Sequence, residues 1–537
     1  MKQLFFNGTV YTGNGMCEAF VVEDGHFAAT GTTAQLQSQY GDAEVIDLNG
    51  KFVCAGFNDS HMHLLNDGYG LSNLPLAEHT GSLSELLSYM QQEISNRHIA
   101  PGTWVRGRGW NHDFFVDGHR FPTRYDLDTV STEHPIAITR ACGHACVVNS
   151  KALELIGVTK DTPQMEGGRF DVDENGEPNG IFRENALDMV YSKFPMPTRD
   201  ELKEMMVNAM HHLNSYGVTS SQTDDFVVFH GLDYHEVIAA YQELEQEGRM
   251  TVRVYEQNHF TNIDDLKGFI EEGYNTGVGS DIFRFGPLKM LGDGSLGART
   301  AYLSAPYSDD PSTSGIPVYS QETFDEMLGY ANEHGMQVAI HSIGDGILDR
   351  ILNAIEKTLQ EHPRPDHRHG IIHCQITRPD QLERMAKLNL HCYAQTIFLD
   401  YDIKIVEDRV GQERAASSYN FKTLMNKGVC VSNGSDCPVE QPDVLGGIQC
   451  AVTRSTLKEH IGPYLPEEAF TPREAIDSFT INSAHASFDE KKKGKIEAGM
   501  LADFVILDEN PLTCDPFHIH DIQVLETWMD GKQVFVK

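Results

Sequence analysis

The sequence predicts an α/β protein: a (β/α)8 barrel with a small β-unit assembled from the two ends of the chain. Three observations carry this. Eight apolar, strand-like runs recur through the middle of the chain, most of them separated by segments of helical apolar spacing, as parallel strands with helical crossovers require. Both ends instead alternate short strand-like runs with turns. A length of 537 residues also suits a large barrel with an insertion and an appendage.

The N-terminal unit, residues 1 to about 58, is expected to hold strands near 8–11, 19–22, 24–28 and 45–50. The C-terminus repeats the style near 502–507, 524–529 and 530–536, with Asp530-Gly531 as a hairpin signal. The barrel strands are expected in the run 51–61 that ends at His61, then at 217–221, 251–255, 284–290, 336–341, 370–373, 390–395 and 429–436. Apolar spacing predicts helices over 200–215, 321–334, 347–361 and 380–388. More than 150 residues, rich in Gly, Pro and aromatics, separate the first two strands. That is too long for one crossover, so residues 64–216 are expected to be an insertion folding over one mouth of the barrel.

With 42 Lys+Arg against 78 Asp+Glu, the formal charge of −36 repels phosphate backbones and anionic lipid surfaces. Nucleic acid and membranes are therefore excluded as expected partners; a small-molecule substrate is expected on other grounds, and a homodimer is allowed. The first residues lack a signal-peptide pattern and no run approaches a membrane span. The ten cysteines are scattered, several inside apolar runs, as buried thiols in a reducing cytoplasm would be. A cytoplasmic location is expected.

Residues i and i+2 of an extended chain point to the same side, so His61 and His63 can aim two imidazoles at one point. Barrel active sites sit at the C-terminal ends of the strands. There the sequence also places Lys289, His341, His373 and Asp436, on the fourth, fifth, sixth and eighth runs. Four imidazoles, a carboxylate and an amine at one mouth form a metal constellation, suited to zinc or a similar divalent ion. Each has a bland alternative: His341 capping the Ile343-Gly344-Asp345 turn, His373 satisfied in the core, Lys289 paired with Asp293. Lys289 interrupts an apolar strand, where burial favours the neutral amine, and a neutral amine can take up CO2 as a carbamate that bridges two metals.

The segments Asp59-Ser60-His61-Met62-His63, Lys289-Met290-Leu291-Gly292-Asp293-Gly294, His341-Ser342-Ile343-Gly344-Asp345, Ile372-His373-Cys374-Gln375 and Gly434-Ser435-Asp436-Cys437-Pro438 resemble the amidohydrolase superfamily, amidohydrolase family 3. Further matches lie at Arg108-Gly109-Trp110-Asn111-His112, at Gly143-His144-Ala145-Cys146 and in the tail from Gly494 to Asp503. The resemblance implies a TIM barrel over 59–489 and a composite β-sandwich domain from 1–58 and 490–537. It also implies that His61, His63 and Asp436 bind one divalent metal, His341 and His373 a second, with carboxylated Lys289 between them. Zinc, one or two per chain, is the expected cofactor. The expected reaction is hydrolysis of a non-peptide C–N bond, in an amide, formamide or related N-acyl compound, by metal-activated hydroxide with Asp436 as general acid/base. Lactone or phosphoester hydrolysis on the same scaffold, or a non-catalytic regulatory barrel, are the competing readings. Trp110, His112, Arg140 and His144 of the insertion are the candidate substrate-binding residues, with packing or surface roles as their alternative. Cys142 departs from the family pattern beside them.

Overall fold

The computed structural model describes residues 2–141, 144–165 and 167–537. Eight parallel strands form one sheet in chain order: β1 (Phe57–Met62), β2 (Val218–Thr223), β3 (Arg253–His259), β4 (Phe283–Leu291), β5 (Val338–Ser342), β6 (Gly370–His373), β7 (His391–Ala394) and β8 (Val431–Asn433). Every neighbouring pair is parallel. The strands β2, β3, β6 and β7 are buried along their whole length, as strands covered on both faces must be. β8 returns beside β1, where the Ser432 hydroxyl donates to Ser60 Oγ at 2.9 Å and the Asp436 amide donates to His61 O at 2.9 Å. The result is a nearly closed, TIM-barrel-like sheet.

Helices Arg199–Ser215, Gln321–Glu333, Asp345–Glu361 and Pro379–Lys387 occupy the segments whose apolar spacing predicts them. In Asp345–Glu361 the buried Ile347, Leu348, Ile351, Leu352 and Ile355 recur at three- and four-residue intervals and join the barrel core. Burying each such side chain contributes about 1.5–3 kcal/mol. Its truncation to Ala would cost about 2–5 kcal/mol, because the packed core closes only partly around the space left.

The apolar run before the histidines does not continue into the barrel as one strand. Phe52–Ala55 pairs in parallel with Thr9–Tyr11 and antiparallel with Phe504–Leu507, in a different sheet from β1. The chain changes sheets at Gly56, where a Cβ would come within 2.3 Å of Thr219 Oγ1 and only glycine fits.

Strands from both ends of the chain share that second sheet, which runs Lys532–Val536, Val524–Met529, Phe504–Leu507, Phe52–Ala55, Thr9–Tyr11, Met16–Cys17. Asp530 and Gly531 link its first two strands with φ of 51° and 66°, the left-handed pair that a tight hairpin needs. A four-stranded sheet of His26–Gly31, Ala19–Glu23, Lys2–Phe6 and Glu44–Asp47 lies nearby in sequence. Phe5 and Phe20 from it pack with Phe504 and Trp528 from the larger sheet. Phe5 stacks on Phe20 at 4.8 Å and Phe504 on Trp528 at 5.4 Å, geometry that adds about 0.5–1.5 kcal/mol per pair beyond area burial.

Gly68–Glu201 forms a compact unit of its own. It contains a six-stranded mixed sheet, ordered Gly168–Val172, Pro178–Glu184, Ala145–Val148, Ile136–Arg140, Val105–Trp110, Leu74–Pro75. Alternate residues feed two separate cores: Ile136 and Ile138 one, Ala137 the other. The unit is narrower than the span 64–216, since Leu64–Ser72 begins before it and Arg199–Ser215 continues past it as the helix leading to β2. No helix among the described residues is long and apolar enough to cross a membrane.

Candidate metal centre

β1 brings His61 to the C-terminal mouth of the barrel and leaves His63 one residue past its end. Lys289 lies on β4, His341 on β5, His373 at the end of β6 and Asp436 just past β8. Asp59 locks the first and last of these together. Its carboxylate accepts from the His61 amide at 3.2 Å, the Ser435 amide at 3.1 Å and the Ser435 hydroxyl at 2.5 Å. The close approach requires Gly434, whose Cβ would sit 2.6 Å from Asp59 Oδ1. Burial outweighs these hydrogen bonds and pushes the Asp59 carboxyl up to about 7.

Asp436 Oδ1 lies 3.2 Å from His61 Nε2 and 3.1 Å from His63 Nε2, so one carboxylate oxygen faces two imidazole nitrogens. The ligand atoms of these three residues all fall within 4.8 Å of one another. Lys289 Nζ is 3.1 Å from His61 Nε2. His341 and His373 adjoin them: their ring centroids are 4.4 Å apart, and His373 stands 5.6 Å from His61. The backbone is left-handed at His373 (φ 70°), Cys374 (φ 50°) and Asp436 (φ 60°), strain that persists only where the surroundings hold it.

The ring nitrogens are oriented by amides. Gln257 Oε1 faces His61 Nδ1 at 2.8 Å and Gln395 Oε1 faces His373 Nδ1 at 2.8 Å. Each imidazole then donates through Nδ1 and presents a bare Nε2, the arrangement metal-binding histidines use. Burial and then Lys289 pull His61 down to about 4, and burial with the neighbouring His341 holds His373 well below the usual range. Both are kept neutral, the form that ligates. Asp436 stays ionised: burial opposes its charge, but its close contacts with the His61 and His63 rings hold it well below the carboxylate range. Burial lowers the Lys289 amine, against the charges of Asp224 and Asp436. Neutral imidazoles, an anionic carboxylate and a buried amine fit a divalent cation.

Two of the sequence alternatives differ from the structure, those for Lys289 and His341. The acid beside Lys289 is Asp224, with Oδ2 at 3.7 Å. Asp293 instead accepts the amides of Tyr302 at 2.7 Å, Ile343 at 3.1 Å and Gly344 at 2.8 Å. His341 does not cap that turn, and its Nε2 lies 3.1 Å from Gly294 O.

Asp224 and His259 were missed by sequence reasoning. Asp224 pairs with His63 Nδ1 and lies 3.4 Å from His259 Nδ1. It stays ionised because His63 and Lys289 outweigh its burial. Asp224 also keeps His63 protonated: burial works against the charge, but Asp224 and Asp436 raise the ring well above its usual value. A cation there would displace that proton. The missed signal was positional: Asp224 follows β2 and His259 ends β3, the places where the strand-end rule looks, but the apolar runs break off earlier.

A cavity of about 200 Å3 opens at the same mouth, lined by Leu296, Ile343, Phe398, Tyr401 and Val439 with Gln375, Asp402 and Glu440. The Phe398 ring stacks on His373 at 5.7 Å, so cavity and imidazole share a wall.

In the 68–201 unit, Trp110 is fully buried and its indole N–H donates to Ile138 O at 3.2 Å, a packing position. Arg140 donates to Asn111 Oδ1 and Asp113 Oδ2, both at 2.8 Å, and to His112 Nδ1 at 3.4 Å. His144 Nδ1 pairs with Glu184 at 2.8 Å on the exposed surface. Cys142 and Gly143 lie outside the described residues.

The family described as "Amidohydrolase family" matches residues 44–535. The protein YtcJ of Bacillus subtilis (strain 168) is 34% identical over 100% of both chains. N-substituted formamide deformylase of Arthrobacter pascens is 28% identical, over 97% of this chain and 96% of its own. The crystal structure of an uncharacterized metal-dependent hydrolase from Pyrococcus furiosus superposes with a TM-score of 0.78 at 31% identity, covering 96% of this chain and 100% of that one.

Proposed function

The chain belongs to the amidohydrolase family, and from that premise we propose that this metal-dependent hydrolase cleaves a non-peptide C–N bond, in an amide, formamide or related N-acyl compound. The observation that carries the reading is the buried Asp436 carboxylate, set between His61 and His63 at the barrel mouth beside an apolar cavity. His61, His63 and Asp436 would hold one divalent cation and His341 and His373 a second, zinc being the ion this donor set suits. When bound, such an ion supplies Lewis acidity toward a substrate carbonyl and acidity to water.

The chain's own residues do the rest. Gln257 and Gln395 fix which imidazole nitrogen faces inward. The Lys289 amine, lowered by burial, attacks the carbon of CO2 and releases one proton, leaving a carbamate placed to bridge the two ligand groups. Ionised Asp436 accepts a proton from the attacking water and returns it to the leaving nitrogen, a two-way role worth about 10²–10⁴-fold. The cavity beside His373 receives the apolar substituent of the substrate through Leu296, Ile343 and Phe398. The sheets at the two chain ends act as one composite β-sandwich domain, supported by their common aromatic core.

The test is a panel assay on zinc-reconstituted protein, with N-substituted formamides, other N-acyl compounds, lactones and phosphoesters. Release of amine from the C–N substrates, abolished by chelation and restored by metal, is expected. Faster turnover of a lactone or a phosphoester would overturn the bond assignment.

A further inference from the structure

The N-terminal end of the barrel, opposite the catalytic mouth, carries a second cluster of metal-ligating side chains. His391 is the first residue of β7, Cys430 immediately precedes β8, and His485 lies on the helix Ile481–Ala486. The Cys392 amide donates to Cys430 O at 3.0 Å, so the parallel pairing of β7 and β8 sets the first two side by side. One ligand atom from each of the three residues falls within 4.8 Å of the others. A tetrahedral zinc shell, with Zn–N about 2.0–2.1 Å and Zn–S about 2.3 Å, separates its ligand atoms by roughly 3.3–3.6 Å.

An independent observation points to a ligand here. His391 is 2% exposed, and its Nδ1 has no hydrogen-bond partner among the described residues. Its other nitrogen, Nε2, lies 2.7 Å from Ser432 Oγ, and that hydroxyl donates its own proton onward to Ser60 Oγ at 2.9 Å. Nε2 must therefore carry the proton, and Nδ1 is left as a bare, buried lone pair. A buried acceptor without a partner is unfavourable, and a bound cation would relieve it. Cys430 and His485 are half-buried, which leaves the fourth tetrahedral position to water.

The surrounding charge permits a cation. Arg368 is the nearby positive group, and it is bound by Asp366 at 2.8 Å and by Glu490 at 2.9 Å, so two carboxylates face one guanidinium.

We propose that His391, Cys430 and His485 form a structural metal site for zinc or a similarly thiophilic divalent ion, fastening β7, β8 and the helix Ile481–Ala486 at the end of the barrel remote from catalysis. Binding replaces the Cys430 S–H bond by a sulfur–metal bond and releases one proton to solvent. The ligand set is softer than the one named at the mouth: the mouth's named ligands are nitrogen and oxygen donors, and this site adds a thiolate. The N-terminal face of such barrels is where stability, not chemistry, is built.

Cobalt(II) titration of the full-length protein separates the two sites, because only a thiolate ligand gives a sulfur-to-cobalt charge-transfer band in the near ultraviolet. The wild-type protein is expected to develop that band. Cys430→Ser should abolish it, and His485→Gln, at a half-buried position, should weaken the cobalt affinity read from it at least ~10-fold, the minimum seen even for loss of an outer-shell partner. Visible cobalt bands from the mouth should persist in both variants. Cys17→Ser and Cys514→Ser, at the other half-buried thiols, should leave the band intact. If Cys430→Ser does not fold, the affinity shift in His485→Gln decides. No charge-transfer band in saturated wild-type protein, or a band unchanged by both ligand substitutions, would overturn the assignment whatever reaction the mouth performs.

Discussion

Asp224→Asn keeps the size of the side chain and one acceptor oxygen but removes the charge, so it isolates what the carboxylate does for His63. Asp224 is 2% exposed; it pairs with His63 Nδ1 and stands 3.7 Å from Lys289 Nζ. A hydrogen bond to a charged group contributes about 1.5–3 kcal/mol and a neutral one about 0.5–1.5 kcal/mol. The exchange should therefore weaken the hold on His63 by about 1–1.5 kcal/mol, close to tenfold in an equilibrium constant. Outer-shell partners of metal-bound histidines behave this way, at about 10–100-fold in metal affinity. The second effect has the opposite sign. At 3.7 Å and an effective dielectric near 20 the attraction between Asp224 and a protonated Lys289 is about 4.5 kcal/mol, and its loss favours the neutral amine that takes up CO2. The variant should therefore bind metal about 10–100-fold more weakly in competition with a chromogenic chelator. At saturating metal its turnover should lie within ~10-fold of wild type, the cost of the weakened His63 hydrogen bond. Unchanged metal affinity would refute the reasoning, and normal affinity with turnover lost would make Asp224 a group that acts on the substrate.

Three further outcomes are expected. Asp436→Asn should lose at least ~10²-fold in turnover even with excess metal, and recovery to near wild type would reduce Asp436 to a ligand without a proton-transfer role. His144→Ala, which removes an exposed pair with Glu184, should change stability by less than ~1 kcal/mol, and a larger fall in the urea midpoint would show that the pair holds its sheet. Buried His369 accepts the Val338 amide at Nδ1 and faces Asn332 through Nε2, and burial holds it well below the usual imidazole range. Its contribution to stability is therefore complete above the unfolded value near 6.5 and is lost as pH falls below it, at about 1.4 kcal/mol per pH unit. His369→Gln should flatten the fall of the urea midpoint between about pH 6.5 and 5, and an unchanged slope would exclude His369 as a source.

The barrel was legible because its strands are short apolar runs separated by amphipathic helices, both of them local patterns. Asp530-Gly531 was readable for the same reason, since two successive left-handed residues suit Asp and Gly and the hairpin needs no distant partner. The histidines, Lys289 and Asp436 could be placed because a strand end is a position in sequence, and in a parallel barrel all C-terminal ends face one way. What failed locally was the extent of β2 and β3. Both finish in polar residues, Gln222-Thr223 and Glu256-Gln257-Asn258-His259, that are buried all the same, so the apolar runs ended early and Asp224 and His259 went unseen. Hydropathy cannot find a strand whose last residues are buried by hydrogen bonding and charge pairing. The acid beside Lys289 was likewise beyond local reasoning: Asp293 is four residues away, but side-chain direction and barrel order choose Asp224 from β2. The sequence by itself thus determined the order of the strands and the kinds of ligand they carry. Tertiary structure alone decided which charge neutralises which, where the chain changes sheets at Gly56, and that His391, Cys430 and His485 meet, because each depends on contacts between residues far apart in the chain.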